Sequence, residues 1–294
     1  MNSAAGRPIV DAHHHLWDLA SHEYDWLVQD GWPAMTELLG DYSSIRRPFL
    51  IDELESVFRA NGVGKSVHVQ ADWVGDPVDE TRWLQSIADR HGYPNGIVAF
   101  TDLTQRWAPA ELERHCESPN MRGVRMTHRR HHPDLLIDLS FRRNFAHLAR
   151  LGLSYDISVT AARMPQALDL ASAFPDTHIV LAGLAIPSDG AAESRERWRS
   201  GLRLLAQAPN VAVKCTALGV ADHSWMTERI RPWIREAADL FGPERLLFGS
   251  NWPVDGLYSS YGRILNAYRE ILADLTSDEL DGFFAGNAEA LYRL

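Results

Sequence analysis

Residues 8–18 read PIVDAHHHLWD, and this stretch decides how the rest of the chain is read. A short apolar run of β type is followed at once by three histidines. Side chains alternate along a strand, so His13 and His15 share one face while His14 takes the other. Two imidazoles at period two can reach one metal ion or one substrate oxygen. In a barrel of parallel strands such groups gather at the C-terminal strand ends. The stretch therefore predicts a strand that ends in a site.

Working outward, seven more runs have the same character: KSVHVQAD from Lys65, GIVAFTDL from Gly96, MRGVRMT from Met121, LSYDISVT from Leu153, HIVLAGLA from His178, VAVKCTAL from Val211 and RLLFGSNWP from Arg245. Their cores are nearly continuous apolar stretches, as expected of strands buried on both faces. Helical spacing separates them at 51–62, 79–92, 140–152, 191–209, 225–241 and 258–274, and SDELDGFFAGNAEALYRL follows as a last amphipathic segment. Gly62 is placed to cap the first of these helices. Strands alternating with helices imply parallel βαβ units. The rival is an open doubly wound sheet, but no GxGxxG or P-loop follows any strand. Eight strands favour an α/β fold of the (β/α)8 TIM-barrel type, one domain over 1–294. The stretch 16–50 follows the first strand without clear periodicity and reads as a long lid-like loop. Its aromatic residues Trp17, Tyr24, Trp26 and Trp32 either cover the site or plug the barrel top.

Composition narrows the function. The chain has 294 residues, 45% hydrophobic and 23% charged, with a formal net charge of −10. An acidic chain repels phosphate backbones, so nucleic acid is not an expected partner. Two cysteines, Cys116 and Cys215, form no CxxC pattern and point to a reducing compartment. No stretch has the apolar length of a membrane span or a secretion signal, and a cytoplasmic protein is expected. The expected partner is a small organic molecule.

Charged and polar residues inside the apolar runs are the next candidates. His68 and Gln70 share a face late in the second run, where His68 is either a ligand or electrophile or a hydrogen-bonded core residue. Asp72 and Trp73 follow in the loop. Arg125 is on an otherwise buried strand, where an unpaired charge is costly, so it requires a protein carboxylate or an anionic ligand. His128 follows it closely. Asp156 and Lys214 pose the same question, and either neutralise each other or contact substrate. Trp17, Trp73 and Trp252 are candidate apolar walls. No GxSxG elbow or catalytic-cysteine signature is present, which argues against an acyl-enzyme.

PIVDAHHHLWD resembles the first-strand motif of the amidohydrolase superfamily. The similarity continues in VHVQADW, RGVRM, LSYDI, PNVAVKCTALG, FGPERLLFGSNWPVD and GNAEALYRL, in order along the whole chain. The branch it most resembles is the TIM-barrel hydrolases related to sugar lactonases and 2-pyrone-4,6-dicarboxylate lactonase. That resemblance implies hydrolysis of a lactone or related ester or amide of a small carboxylate-bearing substrate, with Arg125 holding the carboxylate. It also implies, in some members, one divalent metal. Two positions depart from the pattern. Gly183 stands where the branch commonly has a strand-six histidine. Asn251 stands where many members have an aspartate base, and an amide can orient water but cannot take its proton at neutral pH. Asp255 is the nearest carboxylate and is either a replacement for that base or, before Gly256, a turn residue. His13 and His15, with His68, either bind one metal ion, zinc by ligand type, or act on the carbonyl without metal. A metal-assisted decarboxylase of a small organic acid and a catalytically impaired small-acid-binding barrel are the alternatives.

Overall fold

Each of the eight apolar runs forms a strand: β1 Ile9–His14, β2 Val63–Val69, β3 Gly96–Ala99, β4 Met121–Arg125, β5 Ser154–Ile157, β6 Ile179–Ala182, β7 Val211–Cys215 and β8 Leu246–Phe248. The computed structural model describes residues 7–28, 32–126, 134–187 and 191–294. Among them the strands make one sheet in the order β1 to β8, with every neighbouring pair parallel. The sheet curls until β8 meets β1. Asn251 N–H donates to His13 O at 2.7 Å and His15 N–H to Trp252 O at 2.8 Å, with a parallel bridge between His14 and Trp252. This is the expected (β/α)8 barrel.

The helices are α1 Asp25–Val28, α2 Pro33–Leu39, α3 Ile51–Asn61, α4 Pro77–His91, α5 Ala108–His115, α6 Leu139–Leu151, α7 Met164–Ala173, α8 Ala192–Leu205, α9 Leu218–Ala221, α10 Thr227–Phe241, α11 Tyr261–Ile271, α12 Ser277–Asp281 and α13 Asn287–Tyr292. Gly62 ends α3 in the left-handed conformation, φ 73°, with its N–H on Phe58 O, a geometry glycine adopts without Cβ strain. The segment after β1 is more ordered than a plain loop. It contains α1, α2 and a 3-10 turn at Ser43–Ile45, and Trp17 pairs with Phe49 across its base.

Strand alternation sorts the core into two layers. Odd and even positions of each strand go to opposite faces, so Val10, Ala12, Val67, Val69, Val98, Val180, Ala212 and Leu247 fill the barrel interior. Ala285, Ala288 and Tyr292, from the last helical segment, pack into the same cluster and close it from one end. Deep in this interior Lys214 Nζ donates to Asp156 Oδ2 at 2.6 Å, and Tyr292 OH donates to Asp156 Oδ1 at 2.9 Å. The lysine ammonium also lies 5.1 Å from the centre of the Tyr292 ring. All three side chains are fully buried.

Asp156 and Lys214 were candidates for substrate contact or for mutual neutralisation. They neutralise each other. A buried ion pair tolerates no exposed alternative, because either charge alone would remain desolvated. Tyr292 satisfies the second carboxylate oxygen. Tyr292→Phe should therefore lower stability by about 1–3 kcal/mol, the usual cost of leaving a buried acceptor short of a partner, measured by urea denaturation. An unchanged midpoint would show that the hydroxyl contributes nothing to holding the pair.

Candidate active site

A cavity of about 320 Å³ opens at the C-terminal ends of the strands, lined on its polar side by His13, His15, Gln70, Arg125, Thr216 and Asn251. Its opposite side is apolar and comes largely from the segment after β1: Trp26, Met35, Leu38 and Leu39, with Val220 and Val254.

The polar side is assembled by one carboxylate. Asp11 Oδ1 accepts from His13 N–H at 3.1 Å and Ser250 N–H at 2.9 Å. Its Oδ2 accepts from Ser250 Oγ at 2.6 Å and from Tyr261 OH at 2.9 Å. Asp11 thereby fixes the backbone of His13 against the β8 tip that carries Asn251. Gly249 lets the two approach: a Cβ there would lie 2.7 Å from His13 Cβ.

His13 and His15 both line the cavity, their ring centres 5.1 Å apart and nearly perpendicular. Among the described residues neither ring nitrogen of His13 has a hydrogen-bond partner, although the residue is buried. Burial, with Lys214, His15 and Arg125 nearby, holds this imidazole well below its ordinary pKa, so at neutral pH it is uncharged. His15 is pushed down to about 4, by burial first and then by Arg125. His15 Nδ1 lies 2.7 Å from Val69 O. A carbonyl only accepts, so the neutral ring carries its proton on Nδ1 and leaves the Nε2 lone pair toward the cavity. That Nε2 is 3.3 Å from Asn251 Oδ1. Two acceptors facing each other make a place for a proton.

Asn251 itself adopts φ +56°, a left-handed conformation that asparagine tolerates better than most side chains. Its amide Nδ2 donates to Asp255 Oδ1 at 2.9 Å, and Asp255 Oδ2 accepts from Gly219 N–H at 3.1 Å. Asp255 is fully buried behind Asn251 and does not line the cavity. Burial pushes its carboxyl up to about 7, against the hydrogen bonds from Asn251 and Gly219.

The other expected site residues divide. Arg125 lines the cavity beside Gln70 and Asp72. His128 lies outside the described residues. His68 does not reach the cavity: β2 turns Val67 and Val69 into the barrel interior, so His68 faces outward, and its Nε2 accepts from Leu16 N–H at 2.9 Å. Trp17 is buried with its indole N–H on Arg47 O at 2.7 Å. Trp73 stacks on His22 at 3.9 Å between ring centres, and Trp252 packs edge-on to Tyr261. None of these three lines the cavity; Trp26 does, because the loop geometry that selects among tryptophans is set by α1 and its contacts. Thr216 was missed, although it follows Lys214 by two on β7's exit. Its buried hydroxyl and Gln70 Nε2 are further polar atoms without a protein partner among the described residues. The apolar wall was missed too, although Met35, Leu38 and Leu39 have i, i+3, i+4 spacing behind Pro33, which is a helix signal.

The cavity donors do not complete a zinc set. Zinc sites use at least three protein ligands; the lining offers two imidazoles, His13 and His15, and the Asp72 carboxylate, and among the described residues these form no close trio. Gly183 supplies no side chain on β6's exit, where its φ of +87° also favours glycine. Among the described residues the one close trio of metal-ligand type is Asp52, Glu55 and His91, away from the cavity.

Comparison with known proteins gives a consistent family. The amidohydrolase family profile matches residues 10–294. An uncharacterized protein, y4mH, of Sinorhizobium fredii is 37% identical, over 97% of this chain and 98% of its own. An L-fucono-1,5-lactonase of Burkholderia ambifaria is 31% identical, over 97% of this chain and 95% of its own. The crystal structure of an amidohydrolase from Burkholderia multivorans with bound zinc superposes with a TM-score of 0.84 at 27% identity, over 98% of this chain and all of that one.

The elevated Asp255 carboxyl has a consequence for stability. Its folded pKa, about 7, lies above the unfolded value near 3.8. As pH rises between those values the unfolded chain releases its proton first, so stability falls across that window and levels off above it. In Asp255→Asn this loss is absent, and the variant's unfolding free energy from urea titration should gain on the wild type between pH 4 and pH 8, by a difference on the order of a few kcal/mol. A free-energy difference that stays constant with pH would contradict this.

Proposed function

Because this chain belongs to the amidohydrolase family, a family of hydrolases, we propose that it hydrolyses the lactone of a small organic acid, without a metal ion in the reacting step. The observation that carries the proposal is the fixed tautomer of His15, whose lone pair faces the cavity beside Asn251 Oδ1. The match to a lactonase over nearly the whole of both chains supports the substrate class.

In this reading a water molecule attacks the lactone carbonyl carbon and its proton passes to His15 Nε2. The imidazolium so formed donates to Asn251 Oδ1. Asn251 Nδ2 in turn donates to Asp255, whose negative charge stabilises the cation through the amide. Asp255 is thus a positioning residue rather than the base. The carbonyl oxygen gains charge as water adds, and two groups stand ready to meet it. His13 carries one N–H whichever tautomer it adopts, and Arg125 supplies a permanent cation. Collapse of the tetrahedral intermediate breaks the ring C–O bond. The proton on His15 then moves to the departing alkoxide, which leaves a hydroxy acid and a neutral imidazole.

Family members typically bind metal, and the site has the two imidazoles from which such a centre would be built. No third ligand-type side chain comes close to both imidazoles among the described residues, so no step is routed through a metal. The Arg125 guanidinium in the lining suits an anionic group such as a substrate carboxylate. The two cysteines are free thiols and no described helix is long and apolar enough to cross a membrane; the thiols support a cytoplasmic location.

Two experiments test the reading. His15→Ala should lower kcat for lactone hydrolysis by about 10²–10⁴-fold, the usual contribution of a positioned base. Wild-type kcat should rise with pH through about 7 as Asp255 ionises, and that limb should vanish in Asp255→Asn. Full turnover in His15→Ala removes the histidine from the mechanism. Separately, protein stripped of metal and checked by mass spectrometry should keep its turnover to within about twofold. A loss restored by zinc would overturn the metal-free step.

A further inference from the structure

The cavity has two chemically distinct halves, and the mechanism uses only one. The reacting groups occupy the strand ends. Facing them are Trp26, Met35, Leu38, Leu39, Val220 and Val254, six side chains with hydrocarbon or aromatic surfaces. Leu39 and Trp26 are only 2% and 6% exposed, whereas Met35, Leu38 and Val220 are partly exposed, so the apolar surface runs from the buried part of the cavity out to its rim.

That wall is held from outside. Trp26 donates its indole N–H to Ala71 O at 2.8 Å and packs edge-on to Trp17 at 5.4 Å. At the end of α2, Leu38 O accepts from His223 Nε2 at 2.9 Å and Leu39 O from Tyr258 OH at 2.8 Å. The rings of His223 and Tyr258 stack at 4.7 Å. The Trp26 indole N–H and the Leu38 and Leu39 carbonyls are thus satisfied by protein partners, and these three residues offer the cavity hydrocarbon and aromatic surface. A ligand hydroxyl directed there would lose its water without gaining a partner. Hydrocarbon directed there would be favoured by its removal from water.

We propose that the natural ligand is amphiphilic: its lactone or carboxylate end meets the strand ends, and a substituent of several carbons lies against α1 and α2. The specificity-determining residues are Met35, Leu38 and Leu39. This rests on the lactonase reading for the polar end only; the apolar arm stands on the cavity wall.

The test uses the full chain and a series of δ-lactones that carry methyl, propyl or pentyl on the ring carbon next to the ring oxygen. An aldonolactone of the same ring size serves as the hydroxylated comparison. kcat/KM should rise by about fourfold per methylene, the factor that corresponds to about 0.8 kcal/mol per buried CH₂, and the aldonolactone should be the poorest substrate. In Leu38→Asp the ratio of pentyl to methyl kcat/KM should collapse toward one. The matching 2-alkyl tetrahydropyrans, which cannot be hydrolysed, supply a binding readout by calorimetry and should follow the same order. Flat or falling values with chain length in both series would overturn the proposal. Ether binding that strengthens with chain length, with no lactone turned over, would uphold the apolar subsite and remove the lactonase reading instead.

Discussion

The structure depends on a single buried carboxylate at the seam of the barrel. Parallel strands close into a ring only if the last finds the first, and here β8 is short and pairs with β1 through few hydrogen bonds. Asp11 supplies what the ladder lacks. Its two oxygens accept four hydrogen bonds, from His13, from Ser250 twice and from Tyr261. The same contacts that close the ring place His13 and His15 opposite Asn251. Closure and site assembly are therefore one event, and the position of the reacting groups inherits the rigidity of the sheet rather than that of a loop.

A second constraint is charge. The barrel interior beneath the site contains Lys214, already paired with Asp156, and Arg125 lines the cavity above it. These cations, together with burial, keep His13 and His15 neutral. A neutral imidazole is what both a proton acceptor and an N–H donor require. At the end of β8 stands Asn251, and the Asp255 carboxyl lies buried behind its amide. The interposition keeps the carboxyl off the cavity: Asn251 Nδ2 donates to Asp255 while Asn251 Oδ1 faces His15 Nε2, and that second link becomes a hydrogen bond only when His15 takes a proton.

Much of this was legible in the sequence, for a physical reason. Strands buried on both faces write continuous apolar runs, and all eight were read in place. The HxH spacing placed His13 and His15 on one face without any fold information, because alternation is local. What alternation cannot give is the phase of one strand against another. β1 changes register between Asp11 and His14, so His13 turns inward while His68, on β2, turns outward. Loops are harder still: Trp17, Trp73, Trp252 and Trp26 are equivalent as residue types, and only tertiary packing decides that Trp26 faces the cavity. Asp156 and Lys214 stand out in the sequence as charges inside apolar runs, but the third member, Tyr292, is 136 positions from Asp156 and carries no local sign.

That distance has a temporal side. A chain made from its N-terminus produces Asp156 and Lys214 well before Tyr292. During the interval the half-made barrel must either leave an oxygen of the aspartate to water that enters from the open end, or delay drying its interior. In the finished molecule the tyrosine takes the place such water would hold, bonded to the aspartate and packed among the interior side chains.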